Sequence, residues 1–273
     1  MTWDEGATMT QNERRTWLIK WLLAERADYA QVQVPDDAEG QRALLRALVN
    51  VRPPKPVTDE FLAVQDAYLA QRIQQRGVTQ VRELVPVAED GPLARVRLWQ
   101  GDITTLAADA IVNAANDQML GCFVPGHSCI DNAIHTFAGV QLRLACAEVM
   151  ASRGRPEPTG TATVTDGYNL PARRVVHTVG PIVAGRRPGA REEFLLRSCY
   201  RSCLDAAHDA GCESVAFCCI STGVFGYPAD AAARVAVNTV AEWLEGDGSG
   251  MVVVFNVFTD TDLHIYQQLL GLD

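Results

Sequence analysis

The chain has 273 residues, a formal net charge of −9 and a pI near 5.1, the opposite balance to that of proteins that live on nucleic-acid phosphates. Its 48% hydrophobic content is ordinary for a folded soluble domain, and no apolar run approaches the length of a membrane span. Nucleic acid and membrane are therefore not expected partners, whereas a small anionic ligand remains open because backbone N–H groups hold phosphates without side-chain cations.

The first fifteen residues, MTWDEGATMTQNERR, lack the basic start and apolar core of a secretory leader, so the expected location is the cytoplasm. Residues 10–28 predict a helix, with Thr10 as cap and Trp17, Leu18, Trp21 and Leu22 at helical spacing. Pro35-Asp36-Asp37 opens a second helix with Leu44, Leu45 and Leu48 on one face, and the prolines at 53, 54 and 56 end it. A third runs over 58–76 on a stripe of Phe61, Val64, Tyr68 and Leu69, closed by Gly77. These stripes read as core, and together they predict a small helical extension, residues 1–88, packed on a larger domain, 89–273.

Beyond the boundary segment PVAEDGP at 86–92 the periodicity changes. Strands are expected near 94–100, 109–113, 161–166, 174–179, 214–220 and 251–257. Helices are expected near 129–150, 191–211, 228–244 and 260–270. Such alternation predicts an α/β sandwich around a mainly parallel sheet. Eight cysteines in a cytosolic chain point to thiols, ligands or core filler rather than disulfides. Cys146, Cys199, Cys203, Cys212, Cys218 and Cys219 sit in apolar contexts and read as small hydrophobes. His177 and His208 each stand alone in a strand or helix pattern and are given no role.

The densest stretch is GDITTLAADAIVNAANDQMLGCFVPGHSCIDNAIH, residues 101–135. The buried run Ala110-Ile111-Val112 stops at Asn113-Ala114-Ala115-Asn116, and Cys122, His127 and Cys129 follow in a loop. Two thiolates and one imidazole suit zinc, and three protein ligands leave one position open. A structural site closed by Asp131 or His135, or no metal at all, are the other readings of the same residues. Asp131 and His135, four apart, share a helix face and could orient a metal ligand, or Asp131 could act as general base. A surface location serves His135 equally well.

GDIT, DAIVNAAN and MLGCFVPGHSCIDNAIH, followed by TGTATVTDGYNLPARRVVHTVGP and ISTGVFGYP, resemble the macrodomain family, whose members bind ADP-ribose. The Cys-x4-His-x-Cys insertion looks like the zinc-dependent branch, known for hydrolysing ADP-ribosyl–protein linkages. The stretch DDAEGQRALLRALVNVRPPKP resembles that branch's N-terminal extension. The resemblance implies a three-layer α/β/α macrodomain with a mixed, mainly parallel sheet, one Zn2+ held by Cys122, His127 and Cys129, and a monomer.

It also implies roles residue by residue. Asp102 and the Ile103 N–H meet adenine, on which Phe258 stacks; a turn-capping Asp and a core phenylalanine are the plain alternatives. The loop Ser221, Thr222, Gly223, Val224, Phe225, Gly226 and Tyr227 takes the diphosphate, with Phe225 near the distal ribose; its glycines permit a close approach and an anion nest. It lacks the Lys of a P-loop. Asn113 and Asn116 lie beside the distal ribose and, with Asp131, are the candidate catalytic residues.

The function so implied is zinc-dependent removal of mono-ADP-ribose from acidic protein side chains. The zinc-dependent branch often accompanies a sirtuin-type transferase and a lipoyl-carrier protein, which makes such a carrier one candidate substrate, while the chain by itself does not identify its protein partner. A non-catalytic ADP-ribose reader and an O-acetyl-ADP-ribose deacetylase are the alternatives, and the metal triad argues against the reader.

Overall fold

The computed structural model describes residues 9–246 and 250–272. The first eight residues of the extension fall outside these. Helices α1 (Gln11–Ala24), α2 (Ala38–Val51) and α3 (Asp59–Arg76) form the N-terminal layer. Each begins on a side-chain cap that takes otherwise unpaired N–H groups: Thr10 in a reciprocal box with Glu13, Asp37 on Glu39 and Gly40, and Thr58 on Phe61. Leu18, Ile19, Leu22, Leu45, Leu48, Phe61, Val64, Tyr68 and Leu69 close into one apolar cluster, so the predicted stripes do meet. The first helix stops at Ala24, short of the expected 28, and a single 3-10 turn follows at Ala27–Tyr29.

Short strands β1 (Thr79–Gln80) and β3 (Leu106–Ala107), not foreseen in the sequence, pair in parallel. The main sheet contains β2 (Val96–Gln100), β4 (Ala110–Ala114), β5 (Ala162–Asp166), β6 (Arg174–Thr178), β7 (Ser214–Phe217) and β8 (Val252–Val257). Its order is β2-β8-β7-β4-β6-β5, parallel throughout except for the antiparallel edge strand β5. Both faces are covered, which is why the central strands are continuous apolar runs rather than alternating ones. Alternation still sorts the two faces. Asn113 points toward α4 (Ile130–Ala138), where it bonds Asp131. Val112 and its neighbour Phe217 point the other way, and Tyr200 of α6 (Ala190–Asp209) lies 4.9 Å from the Phe217 ring. Helices α5 (Val140–Arg153), α7 (Ala229–Gly246) and α8 (Asp260–Leu270) complete the layers. Among the described residues no helix is long and apolar enough to cross a membrane.

The single helix expected over 129–150 is two. Gly139 sits at φ +94°, ψ 175°, a region open essentially to glycine alone, and there α4 ends and α5 begins. A Cβ at this position would meet Gln141, Gln65 and Asn169 side chains at 2.6–3.0 Å. Gly139→Ala is therefore expected to lower stability by about 1–3 kcal/mol, read from the denaturant midpoint at unchanged slope.

Candidate active site

Because β2, β8, β7, β4 and β6 run parallel, their carboxyl ends share one edge, the place where open α/β sheets bind ligands. Along that edge the strand order places Asp102 (after β2), Phe258 (after β8), residues 221–227 (after β7) and Asn113 with Asn116 (on and after β4) in a row. Three strand spacings of about 4.8 Å separate β2 from β4, so the row is roughly 14 Å long.

At the first end, Asp102 caps a 3-10 turn: its Oδ1 accepts the Thr104 N–H at 2.9 Å and the Thr104 hydroxyl at 2.6 Å. Its Oδ2 pairs with Arg76, the last residue of α3. The turn-capping use of this Asp is thus present in the structure. The Ile103 side chain is buried, and its N–H has no acceptor among the described residues. Phe258 lies just beyond β8 and is 72% exposed, too open to be core.

The middle of the row is the loop after β7. Ser221 adopts φ +66°, unusual for a residue with a side chain, and its buried Oγ has no hydrogen-bond partner among the described residues. Gly180, after β6, lets the loop approach: a Cβ there would lie 2.0 Å from Ser221 Oγ. The loop closes on itself through Gly226 N–H to Gly223 O and Tyr227 N–H to Ser221 O, and Phe225 O accepts from Val183 N–H. The N–H groups of Gly223, Val224 and Phe225 are left without acceptors among the described residues, so three consecutive donors can face an anion. Thr222 is tied back by its hydroxyl to Cys219 O, Val224 is 83% exposed and Tyr227 is buried.

At the far end the two asparagines differ. Asn113 is fully buried, while Asn116 is half-buried and bonds the Gly121 carbonyl at 3.2 Å. The Asp131 carboxylate accepts from both, Oδ1 from Asn113 at 2.8 Å and Oδ2 from Asn116 at 3.4 Å. Burial pushes the Asp131 carboxyl up to about 6, against the lowering effect of the Asn113 bond. The hydrogen bonds of Asp131 thus go to the amides, not to a metal-ligand side chain as one reading of the sequence had it.

Two histidine expectations are corrected. His135 is buried rather than on the surface, and neither ring nitrogen has a hydrogen-bond partner among the described residues. His177 is not alone. It sits opposite Asn113 in the β4–β6 register, with Nδ1 3.1 Å from Asn113 Nδ2 and Nε2 2.9 Å from Thr165 Oγ1. Since the Asn113 amide must turn its N–H groups toward the Asp131 carboxylate, His177 Nδ1 can only accept, and the proton is on Nε2. Both Asn113 N–H bonds are therefore taken, leaving its buried Oδ1 without a partner among the described residues. Cys146, read as plain core filler, lies 3.8 Å from His177 Nε2 and, with His135 and His177, belongs to a fully buried cluster of potential metal donors.

The loop between Asn116 and α4 brings Cys122, His127 and Cys129 together. Cys122 Sγ is 3.6 Å from His127 Nδ1, and one donor atom from each of the three lies within 4.8 Å of the others. Tetrahedral zinc with Zn–S of about 2.3 Å and Zn–N of about 2.0 Å sets such donors roughly 3.5 Å apart, so the triad fits. Burial pushes the Cys129 thiol up to about 11, with the nearby Cys122 thiol adding to it, as expected of paired sulfurs without a cation. Cys129 Sγ also caps α4 by accepting the Asn132 N–H.

Sequence reasoning missed Arg76, which holds Asp102 at the first end, and Arg46, Asn50, Asn132, Arg143 and His177, which hold this one. Only His177 left a signal, its place in a strand that pairs with the one carrying Asn113.

A family model described as Macro domain matches residues 112–236. A protein of Treponema medium named Protein-ADP-ribose hydrolase is 52% identical over 96% of this chain and 100% of its own length. A protein of the same name from Staphylococcus aureus is 48% identical over 97% of this chain and 98% of its own. Among solved structures, the Trypanosoma brucei macrodomain in complex with ADP-ribose superposes with a TM-score of 0.65 and 32% identity, covering 83% of this chain and 95% of that one.

Proposed function

The chain belongs to the macro domain family, and from that premise we propose that it is a hydrolase releasing mono-ADP-ribose from modified protein side chains, carboxylate-linked ones by preference. One observation carries the proposal: the edge row of Asp102, Phe258, the 221–227 donors and the two asparagines ends on a triad of metal donors. A reader of ADP-ribose needs the row but not the triad.

In this reading Asp102 and the Ile103 N–H hold adenine against the exposed Phe258 ring. The N–H groups of Gly223, Val224 and Phe225 take the diphosphate, where charged acceptors make hydrogen bonds about twice as strong as neutral ones. Asn116 and the unpaired Asn113 Oδ1 receive hydroxyls of the distal ribose. An unmade buried hydrogen bond costs about 1–3 kcal/mol, so a ribose O–H on Asn113 recovers what the free protein lacks. Asp131 and His177 fix the two amides so that this acceptor faces the ligand.

Cys122, His127 and Cys129 would hold zinc, which when bound supplies a Lewis-acidic positive charge beside the linkage. A lipoyl-carrier protein modified by a sirtuin-type transferase, in the cytoplasm, is the substrate setting that the family resemblance suggests.

The test is release of ADP-ribose from a protein mono-ADP-ribosylated on an acidic side chain, assayed before and after chelation, with metal quantified in the same sample. Release should stop on chelation and return with Zn2+. ADP-ribose binding without release in either state would make the protein a reader. Release only from O-acetyl-ADP-ribose would make it a deacetylase of the small ester.

A further inference from the structure

The metal-donor loop, residues 122–129, has no regular secondary structure and is exposed along most of its length, with only Cys122, His127 and Cys129 half-buried. Its shape is nevertheless fixed at five points, and the fixing groups come from outside it. Helix α2 of the N-terminal layer supplies two of them. The Asn50 carboxamide accepts the Gly126 N–H at 3.0 Å and donates to Thr136 Oγ1 at 3.0 Å. The Arg46 guanidinium donates through Nη2 to the His127 carbonyl at 3.1 Å, and through Nε and Nη2 to Asn132 Oδ1 at 3.1 and 2.8 Å.

Asn132, fully buried at the start of α4, passes that constraint on. With Oδ1 claimed by Arg46, its Nδ2 is turned to the carbonyls of Val124 at 3.1 Å and Cys122 at 3.5 Å. Its backbone N–H meets Cys129 Sγ at 3.4 Å. Arg143 adds a further tie outside the loop, joining the Leu120 carbonyl, just before it, to the carbonyls of Val49, Asn50 and Arg52 at the end of α2. Every donor of the triad is thus either touched directly, or has its own peptide group held, by this assembly.

We propose that Arg46 and Asn50 are positioning residues of the metal centre: the helical extension holds the Cys122, His127 and Cys129 loop in its ligating shape. The inference rests on the zinc reading above and assigns the extension to that site. Outer partners that orient ligands typically alter metal affinity by about 10–100-fold when removed. A loop free to sample other shapes must be ordered by the ion itself, and that ordering is subtracted from the binding free energy.

The experiment compares the full chain with Arg46→Met, Asn50→Ala and Gln65→Leu. Gln65 serves as control because it also joins the extension to the larger domain, accepting the Val140 N–H and donating to Gln141, without contacting the loop. Zn2+ affinity is measured by competition with a chromophoric chelator, and Co2+ is then loaded to read ligand-field and thiolate charge-transfer bands. Arg46→Met and Asn50→Ala should each weaken Zn2+ binding by about 10–100-fold and shift the Co2+ bands. Gln65→Leu should leave both within twofold, whatever it does to the melting point. Arg46→Lys, which retains the charge and one donor, should recover part of the loss and provides the reading if Arg46→Met does not fold. Wild-type affinity in both loop-contacting variants, or an equal loss in Gln65→Leu, would overturn the proposal while leaving the metal reading intact. A wild-type chain that takes up no Zn2+ would overturn both.

Discussion

Cys129→Ser is expected to abolish zinc binding and lower ADP-ribose release by about 10³-fold, since a bound cation supplies several kcal/mol of transition-state charge stabilisation. ADP-ribose should still bind. The serine variant is more informative than alanine because Cys129 has two jobs here. Its Sγ is one of three donors in the triad, and it also caps α4 through the Asn132 N–H. Alanine removes both, and loss of an N-cap alone costs about 1 kcal/mol. Serine retains a capping oxygen and removes only the thiolate. The melting point of the chelated protein should therefore stay near that of the chelated wild type, while metal content falls to background. Most of the row that would hold the nucleotide lies on other loops, and Asn116, at the start of the triad's own loop, is held by the Gly121 carbonyl and Asp131 rather than by Cys129, so ADP-ribose affinity should change little. Metal analysis, single-turnover release and ADP-ribose titration on one preparation decide the matter. Wild-type release from a zinc-free Cys129→Ser protein would remove zinc from the mechanism.

The parts of this molecule that are legible in the sequence are those that repeat or interrupt a local pattern. Apolar patterning located the three helices of the extension and all six strands of the main sheet, because burial on one face imposes a period and burial on both imposes a continuous apolar run. GDIT, NAAN and the Cys-x4-His-x-Cys loop stand out because strand ends and donor clusters depart from such periods. What stayed hidden depends on register and on contacts between distant residues. Arg46 meets Asn132, and Asn50 meets Thr136, across 86 residues in each pair. Nothing in an amphipathic helix tells which polar residue at the edge of its apolar face will turn inward. His177 read as isolated because its partner Asn113 is 64 residues away and becomes its neighbour only when β4 and β6 align. The break at Gly139 was masked by the apolar pattern continuing across it.

His177 yields the second large effect, and its sign follows from burial. Desolvation holds the imidazole at about 4, below the ordinary 6.5, because the protonated ring would be charged in a fully buried site. Between those values the unfolded chain binds a proton that the folded chain refuses, so stability falls as pH drops from about 6.5 to about 4 and is level above. The gap corresponds to about 3 kcal/mol for this one group. His135, also buried and held well below its usual range, pulls the same way. Asp131 opposes them: raised to about 6, it takes up a proton in the folded state first and returns stability as pH falls through that point. The Cys146 thiol, pushed up to about 12 by burial, stays neutral throughout, and Arg143 keeps its charge. The wild-type curve is thus a composite, and the quantity to measure is its difference from His177→Gln, by urea unfolding in chelator between pH 7.5 and 4. That difference should shrink by about 3 kcal/mol on going from pH 7 to 4, because only the wild type carries the His177 proton penalty. Parallel curves would mean that the ring is not held neutral. The geometry at Asn113 makes the same point chemically. A proton on His177 Nδ1 would place a donor 3.1 Å from the Asn113 amide nitrogen, itself a donor, and the amide could no longer keep its N–H groups on His177 and Asp131 with Oδ1 left for a ligand.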